Sequence, residues 1–214
     1  MLTPLAALAS LAALGTLAVV AILILPPLAR FLAAGDSPAP SDVTLLTYGV
    51  NSFAVPSLRR AALESAAARY QRHETHRVLL GVLEATGDDG APYQTRVDLT
   101  SRALQRLGVP PSAIQALPTV QDERGEALVL RDAAAANGWT SIVAYARDVR
   151  SRRTRGAFRQ ALAPLGVEVR VVSLGALAGG PASAAWWPLT PRRLSAVPEE
   201  YAKLAYYLSR GWLA

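Results

Sequence analysis

The amino-acid sequence predicts an α/β fold with a parallel, doubly wound, Rossmann-like sheet of about five strands, preceded by one N-terminal transmembrane helix. Three observations carry this. Short apolar runs alternate with helical patterns of about 12–17 residues, the signature of βαβ crossovers. The runs are apolar on successive residues, as strands covered on both faces must be. Ahead of them, Leu2 to Ala29 holds no charged side chain.

Leu5–Leu25 would span about 31 Å as a helix at 1.5 Å per residue, close to a bilayer's hydrocarbon thickness. Pro26 and Pro27 then disfavour helix through Leu25. A cleaved signal has a shorter apolar core and a charged leading region. An uncleaved single-pass anchor is therefore expected over residues 1–34. Residues 35–42, GDSPAPSD, read as a linker. The α/β domain is expected over 43–214.

In that domain VTLLTYG opens the sheet. PSLRRAALESAAARYQRH follows as a helix, with Leu58, Ala62 and Ala66 on one side. RVLLGVL is the second strand, and TGDDGAP, containing Asp88-Asp89-Gly90, is a turn. VDLTSRALQRLG is an amphipathic helix stopped at Gly108, with Pro110 and Pro111 beyond. SAIQAL is a weaker third strand. DERGEALVLRDAAAANG is a helix stopped at Asn137-Gly138. TSIVAYA is the fourth strand, SRRTRGAFRQALAPLG a helix and VEVRVVSL the fifth strand. VPEEYAKLAYYLSRGW is the closing helix.

The 22 basic residues outnumber 16 acidic ones, and only Lys203 is a lysine. This charge alone does not make a nucleic-acid binder, which is an unlikely partner class here. Absence of cysteine excludes disulfides, thiolate nucleophiles and Cys-based metal sites. His73 and His76 are the only histidines, and their spacing of three is not the H-E-x-x-H zinc pattern. No metal and no cofactor is expected, and no P-loop, G-x-G-x-x-G or Ser-His-Asp arrangement is present. The oligomeric state is not legible.

In open parallel sheets ligands bind beyond the carboxyl ends of the strands, where strand order reverses. Three loops matter on that ground: Tyr48–Pro56, Val82–Pro92 and Arg147–Ser151. The third is crowded with Arg147, Arg150, Arg152 and Arg153, with Arg155 and Arg159 further along. A helix start is already partly positive, so arginines there call for a carboxylate or an anionic ligand. Arg150 and Arg153 are candidates to clamp a phosphate, with Arg147 beside them. Arg152, Arg155 and Arg159 read as a solvated stripe. Asp148 or Ser151 is a candidate N-cap. Glu126 suits its own helix start and could pair with Arg150 or Arg153. Tyr48 and Gly49 follow the first strand, where glycine permits close backbone approach, and Arg59 could enter the crevice from the next helix. Trp186, Trp187, Trp212, Tyr201, Tyr206 and Tyr207 suit packing or a membrane interface.

The order of these pieces resembles the YdcF-like (SanA/ElyC) family of envelope proteins. LGVPPSAI (107–114), Glu126-Ala127, the block WTSIVAYARDVRSRRTRGAFRQAL and the tail WWPLTPRRLSAVPEEYAKLAYYLSRG carry the resemblance, which runs from about Val43 to Gly211. Tyr48-Gly49 stands for the first Gly-Gly of the family, LGVLEATGDDG for its Ser-Gly-Gly loop, and Arg150 for its usual His. The resemblance implies a domain outside the inner membrane, held by one helix and tied to cell-wall precursor or lipid-carrier metabolism. The implied partner is an anionic small molecule or a lipid-linked phosphate. A guanidinium does not titrate, so Arg150 can hold an anion but cannot transfer a proton. Any phosphoryl or pyrophosphoryl chemistry is then weak or lost. The alternative is a non-catalytic envelope scaffold.

Overall fold

The computed structural model describes residues 27–29, 31–33, 35–53, 56–84, 93–177 and 191–213. The expected membrane stretch through Leu25, the Asp88-Asp89-Gly90 turn, and Trp186 and Trp187 lie outside them. Among the described residues no helix is long and apolar enough to cross a membrane.

Five strands form one sheet: β1 (Val43–Leu46), β2 (Arg77–Leu80), β3 (Ile114–Ala116), β4 (Ser141–Ala146) and β5 (Glu168–Ser173). Every pairing is parallel and the order is β3-β2-β1-β4-β5. The helices are α1 (Tyr48–Phe53), α2 (Pro56–Gln71), α3 (Tyr93–Arg106), α4 (Glu123–Asn137), α5 (Ser151–Leu162), α6 (Leu174–Leu177) and α7 (Pro191–Ser209). All five expected strands are present. The stretch after β1 is the main difference: it was expected as a loop, and it begins as the helix α1, with Val50 buried against α2. The closing helix starts at Pro191, earlier than expected, and carries Pro198 inside it.

Side-chain alternation along the strands builds two cores. Val43, Leu45, Leu79, Ile142, Ala144 and Val171 face Ala127 and Leu130 of α4 and Phe158 and Leu162 of α5. Leu46, Val78, Leu80, Val143, Tyr145 and Val172 face Ala62, Leu63 and Ala66 of α2 and Leu104 of α3. Both faces are covered, and this is why the strand sequences show no polar alternation. Helix stops behave as the glycines predict: Gly108 and Gly138 take left-handed φ of 88° and 66°. Asp122 caps α4, accepting from the Gly125 N–H at 2.7 Å.

A third, smaller core involves the segment just after the expected membrane stretch. Residues 27–29 and 31–32 are helical, and Ala29 and Leu32 are buried against Val149 and Val197. The chain is thus packed onto the domain from Leu28, ahead of the expected linker.

Candidate functional site

Strand order reverses between β1 and β4, whose neighbours run outward to β3 on one side and β5 on the other. Beyond their carboxyl ends stand Thr47, Tyr48 and Gly49 from β1, and Arg147 and a 3-10 turn over Asp148–Arg150 from β4. A Cβ built on Gly49 would lie 3.8 Å from both Arg147 Cδ and Arg150 Nη1. The structure therefore brings Tyr48, Gly49, Arg147 and Arg150 to the switch point. Arg150 Nη1 donates to Tyr48 Oη at 3.4 Å, and its guanidinium lies 5.9 Å from the centre of that ring. Burial pushes the Tyr48 phenol above its ordinary value, against the pull of Arg150 and Arg153.

The arginines' partners are Glu123 and Glu200. Arg153 is buried and ion-paired to both, donating from Nε and Nη2 to Glu200 Oε2 at 3.0 and 2.9 Å, with its Nη1 against Glu123 Oε2. Its guanidinium also sits 5.1 Å from the Tyr207 ring centre. Arg150 Nε meets the other oxygen of Glu200 at 3.2 Å. Glu123 further accepts from Thr154 Oγ1 at 2.6 Å. Arg155 and Arg159 reach Asp36 at 3.1 and 3.3 Å. Carboxylates thus arrive at the first turn of α5 and offset both its dipole and its arginines. Arg152 lies flat on Phe31, 3.7 Å from the ring centre.

Glu126 does something else. Its Oε1 accepts from the Tyr48 N–H at 2.8 Å, and its Oε2 is buried with no hydrogen-bond partner. The carboxyl occupies the space left by Gly81 at the end of β2, where a Cβ would fall 1.7 Å from Oε1. Only glycine permits that approach. Burial raises the Glu126 pKa to about 8, with the Tyr48 N–H opposing the rise, so the group is mostly neutral at pH 7. Next to it, Asn51 donates to the Leu46 and Gly81 carbonyls at 3.3 and 2.8 Å, and its own Oδ1 is buried without a partner.

Other expected residues are used elsewhere. Asp148 accepts from Ser173 Oγ and from the Gly175 N–H at 2.6 Å, so it caps the turn after β5 rather than α5. Ser151 Oγ donates to the carbonyls of Asp148 and Leu32 at 2.8 and 3.2 Å and does not cap α5 either. Arg59 donates to Thr100 Oγ1 of α3 at 2.7 Å. Tyr206, Tyr207 and Trp212 pack edge to face, with centroids 5.4–6.2 Å apart.

Sequence reasoning missed Glu200 as the shared partner of Arg150 and Arg153. Glu200 lies 47 residues beyond Arg153, so local spacing could not pair them. The Glu-Tyr-x-Lys pattern of the tail was the one available signal.

Chemically, the switch point offers guanidinium donors, a buried neutral carboxyl and a buried phenol. It is equipped to hold an anion, and its arginines cannot shuttle protons. No protein-family model matches the chain, and no curated protein matches its sequence.

Proposed function

We propose that this chain is a membrane-anchored YdcF-like domain binding a phosphorylated or otherwise anionic envelope metabolite, with catalysis weak or lost. One observation carries the binding reading: Arg147 and Arg150 converge with Gly49 at the reversal of strand order. A guanidinium at a strand-order reversal suits a phosphate oxygen. Arg153, paired with Glu123 and Glu200, acts here as a positioning residue that holds Arg150 through their shared carboxylate. The uncharged stretch Leu2–Ala29 and the ordered motifs of the soluble part support the anchor and the envelope role. If phosphoryl or pyrophosphoryl chemistry survives, Glu126 is the group that titrates near neutrality, and it is sealed behind the Tyr48 backbone.

A second reading has its own support. Glu123 and Glu200 already neutralise Arg153, and Glu200 also meets Arg150, which explains much of the cluster without a ligand. On that reading the chain is a non-catalytic envelope scaffold.

Thermal unfolding of the full chain in detergent, with pyrophosphate or a short polyprenyl phosphate, separates the two. A ligand at 100 times its dissociation constant adds about 2.7 kcal/mol. The binding reading expects a stabilising shift that disappears in Arg147→Ala/Arg150→Ala. No shift with any phosphate, in a folded sample, leaves the scaffold.

A further inference from the structure

The path of the chain between residues 28 and 43 fixes which end of the domain the N-terminal stretch leaves from. Followed backward from β1, the chain passes beneath the amino ends of the strands. There the Ser41 N–H donates to the Glu74 carbonyl at 2.8 Å and the Ala39 carbonyl accepts from Arg69 at 2.5 Å. It then climbs the outer edge of β5. The Asp36 N–H donates to the Val171 carbonyl at 2.7 Å, and Asp36 Oδ2 accepts from the Val171 N–H at 2.9 Å. Gly35 lies beside Ser173, the last residue of β5. The Leu32 carbonyl accepts from Ser151 Oγ at 3.2 Å, the Phe31 carbonyl accepts from Arg152 Nε, and the Leu28 carbonyl accepts from Tyr201 Oη at 3.2 Å. A direct connection would have left the domain at the amino edge of β1. This one pairs with Val171 and passes Ser173, and so leaves at the opposite edge.

The apolar stretch ends at Leu25, three residues before Leu28. Three residues reach at most about 11 Å in any conformation. With Leu5–Leu25 as the proposed anchor, the bilayer surface would lie next to Leu28, which is packed with Val149 of the β4 turn. The surface presented there suits a headgroup layer. Phe31 is 46% exposed, Tyr201 stacks on it at 6.0 Å, and Arg152 covers it. An aromatic pair beside an arginine is the side-chain mixture favoured at membrane interfaces.

We infer that the carboxyl edge of the sheet, with Phe31, Arg152 and Tyr201 at its centre, is the face docked on the bilayer surface, so that the β1–β4 crevice opens in the headgroup layer. The amino edge, with the start of β5 and the end of α4, points away. The inference rests on the membrane-anchor part of the proposed function and is independent of which anion is bound.

The chain holds no cysteine, so single introduced cysteines report position without background. The test places the full chain in phosphatidylethanolamine–phosphatidylglycerol vesicles with an environment-sensitive dye at Phe31→Cys or, as a second site on the same face, Arg152→Cys. Matching labels go on the far edge at Asn137→Cys and Glu168→Cys. Quenching by lipids spin-labelled near the headgroup is compared after flotation. The expected result is quenching at 31 and 152 several-fold stronger than at 137 and 168. A chain that floats with the vesicles but is quenched at 137 and 168, or equally at all four sites, overturns the docked face and leaves the anchor standing. A chain that does not float overturns the anchor, and the docked face with it.

Discussion

The two edges of the sheet handle buried polar groups in opposite ways. At the amino edge Asp42 and Arg69 are met mainly by backbone and small hydroxyls, with Glu74 as an added carboxylate for Arg69. Asp42 Oδ2 accepts from the N–H and hydroxyl of both Thr140 and Ser141 at 2.7–3.2 Å, clasping β1 to β4. Buried Arg69 donates to Thr44, Ser41, the Ala39 carbonyl and Glu74. At the carboxyl edge charge is met by charge from distant elements, Arg153 by Glu123 and Glu200, and two buried oxygens, Glu126 Oε2 and Asn51 Oδ1, have no partner. A closed polar network fixes a fold; an incompletely satisfied one at a strand-order reversal is consistent with the proposed binding site.

Removing one member of the charged knot should have the largest effect. Arg153→Met leaves Glu123 and Glu200 buried without their main counter-ion and should cost about 3–5 kcal/mol. Chemical denaturation measures it. Arg153→Met/Glu123→Gln/Glu200→Gln removes the stranded charges together and should recover most of the loss. If the triple variant is as unstable as the single one, packing rather than charge holds α7 and α5 together.

Glu126 sharpens the contrast next. Its carboxyl has an ordinary value near 4.5 and a folded value of about 8. Between those pH values the folded chain keeps a proton that the unfolded chain has released. The stability carried by the neutral carboxyl is thus whole below 4.5, declines as pH rises, and is gone above 8. At about 1.36 kcal/mol per unit, the decline is on the order of a few kcal/mol. Glu126→Gln still accepts from the Tyr48 N–H and has no proton to lose. Urea midpoints at acidic, neutral and basic pH should fall for the natural chain and hold steady for the variant. Parallel curves would mean that Glu126 is ionised in the fold.

These residues also show what a reader of the sequence can and cannot reach. The strands were legible because burial on both faces forces unbroken apolar runs such as TSIVAYA, and the helix stops because glycines such as Gly108 and Gly138 take a left-handed φ at little cost. The reversal of strand order was legible from topology, since alternation of strand and helix already implies one. The partners were not. Asp148 turned away to Ser173 and Gly175, and Arg59 to Thr100, because a side chain's direction depends on packing between elements far apart in sequence. Glu126 was placed by Gly81, 45 positions upstream, and no local pattern links an acid to a missing Cβ.

At the amino edge the effects should be smaller. Arg69→Met keeps the buried stem and loses the donors. It should cost about 2–3 kcal/mol, because the acceptors left behind are mainly neutral oxygens. A loss as large as that of Arg153→Met would erase the distinction between the edges.

Asp42→Asn gives the smallest change in stability, about 1–2 kcal/mol for weakened hydrogen bonds to a charged acceptor, and the clearest contrast of sign. The Thr140 N–H, with the other donors of Thr140 and Ser141, holds the Asp42 carboxyl below its ordinary value of 3.8 against the effect of burial. The unfolded chain therefore binds the proton first as pH falls. What Asp42 contributes is complete above 3.8 and is lost as pH drops through the lower folded value. Glu126 loses stability toward alkaline pH and Asp42 toward acid, so these two residues act on opposite flanks of the pH–stability curve. In Glu126→Gln the alkaline flank should flatten while the acid flank stays. In Asp42→Asn the acid flank should flatten while the alkaline flank stays. A variant that moved both flanks would show the two edges titrating as one unit, and the separation between a closed edge and an incompletely satisfied one would fail.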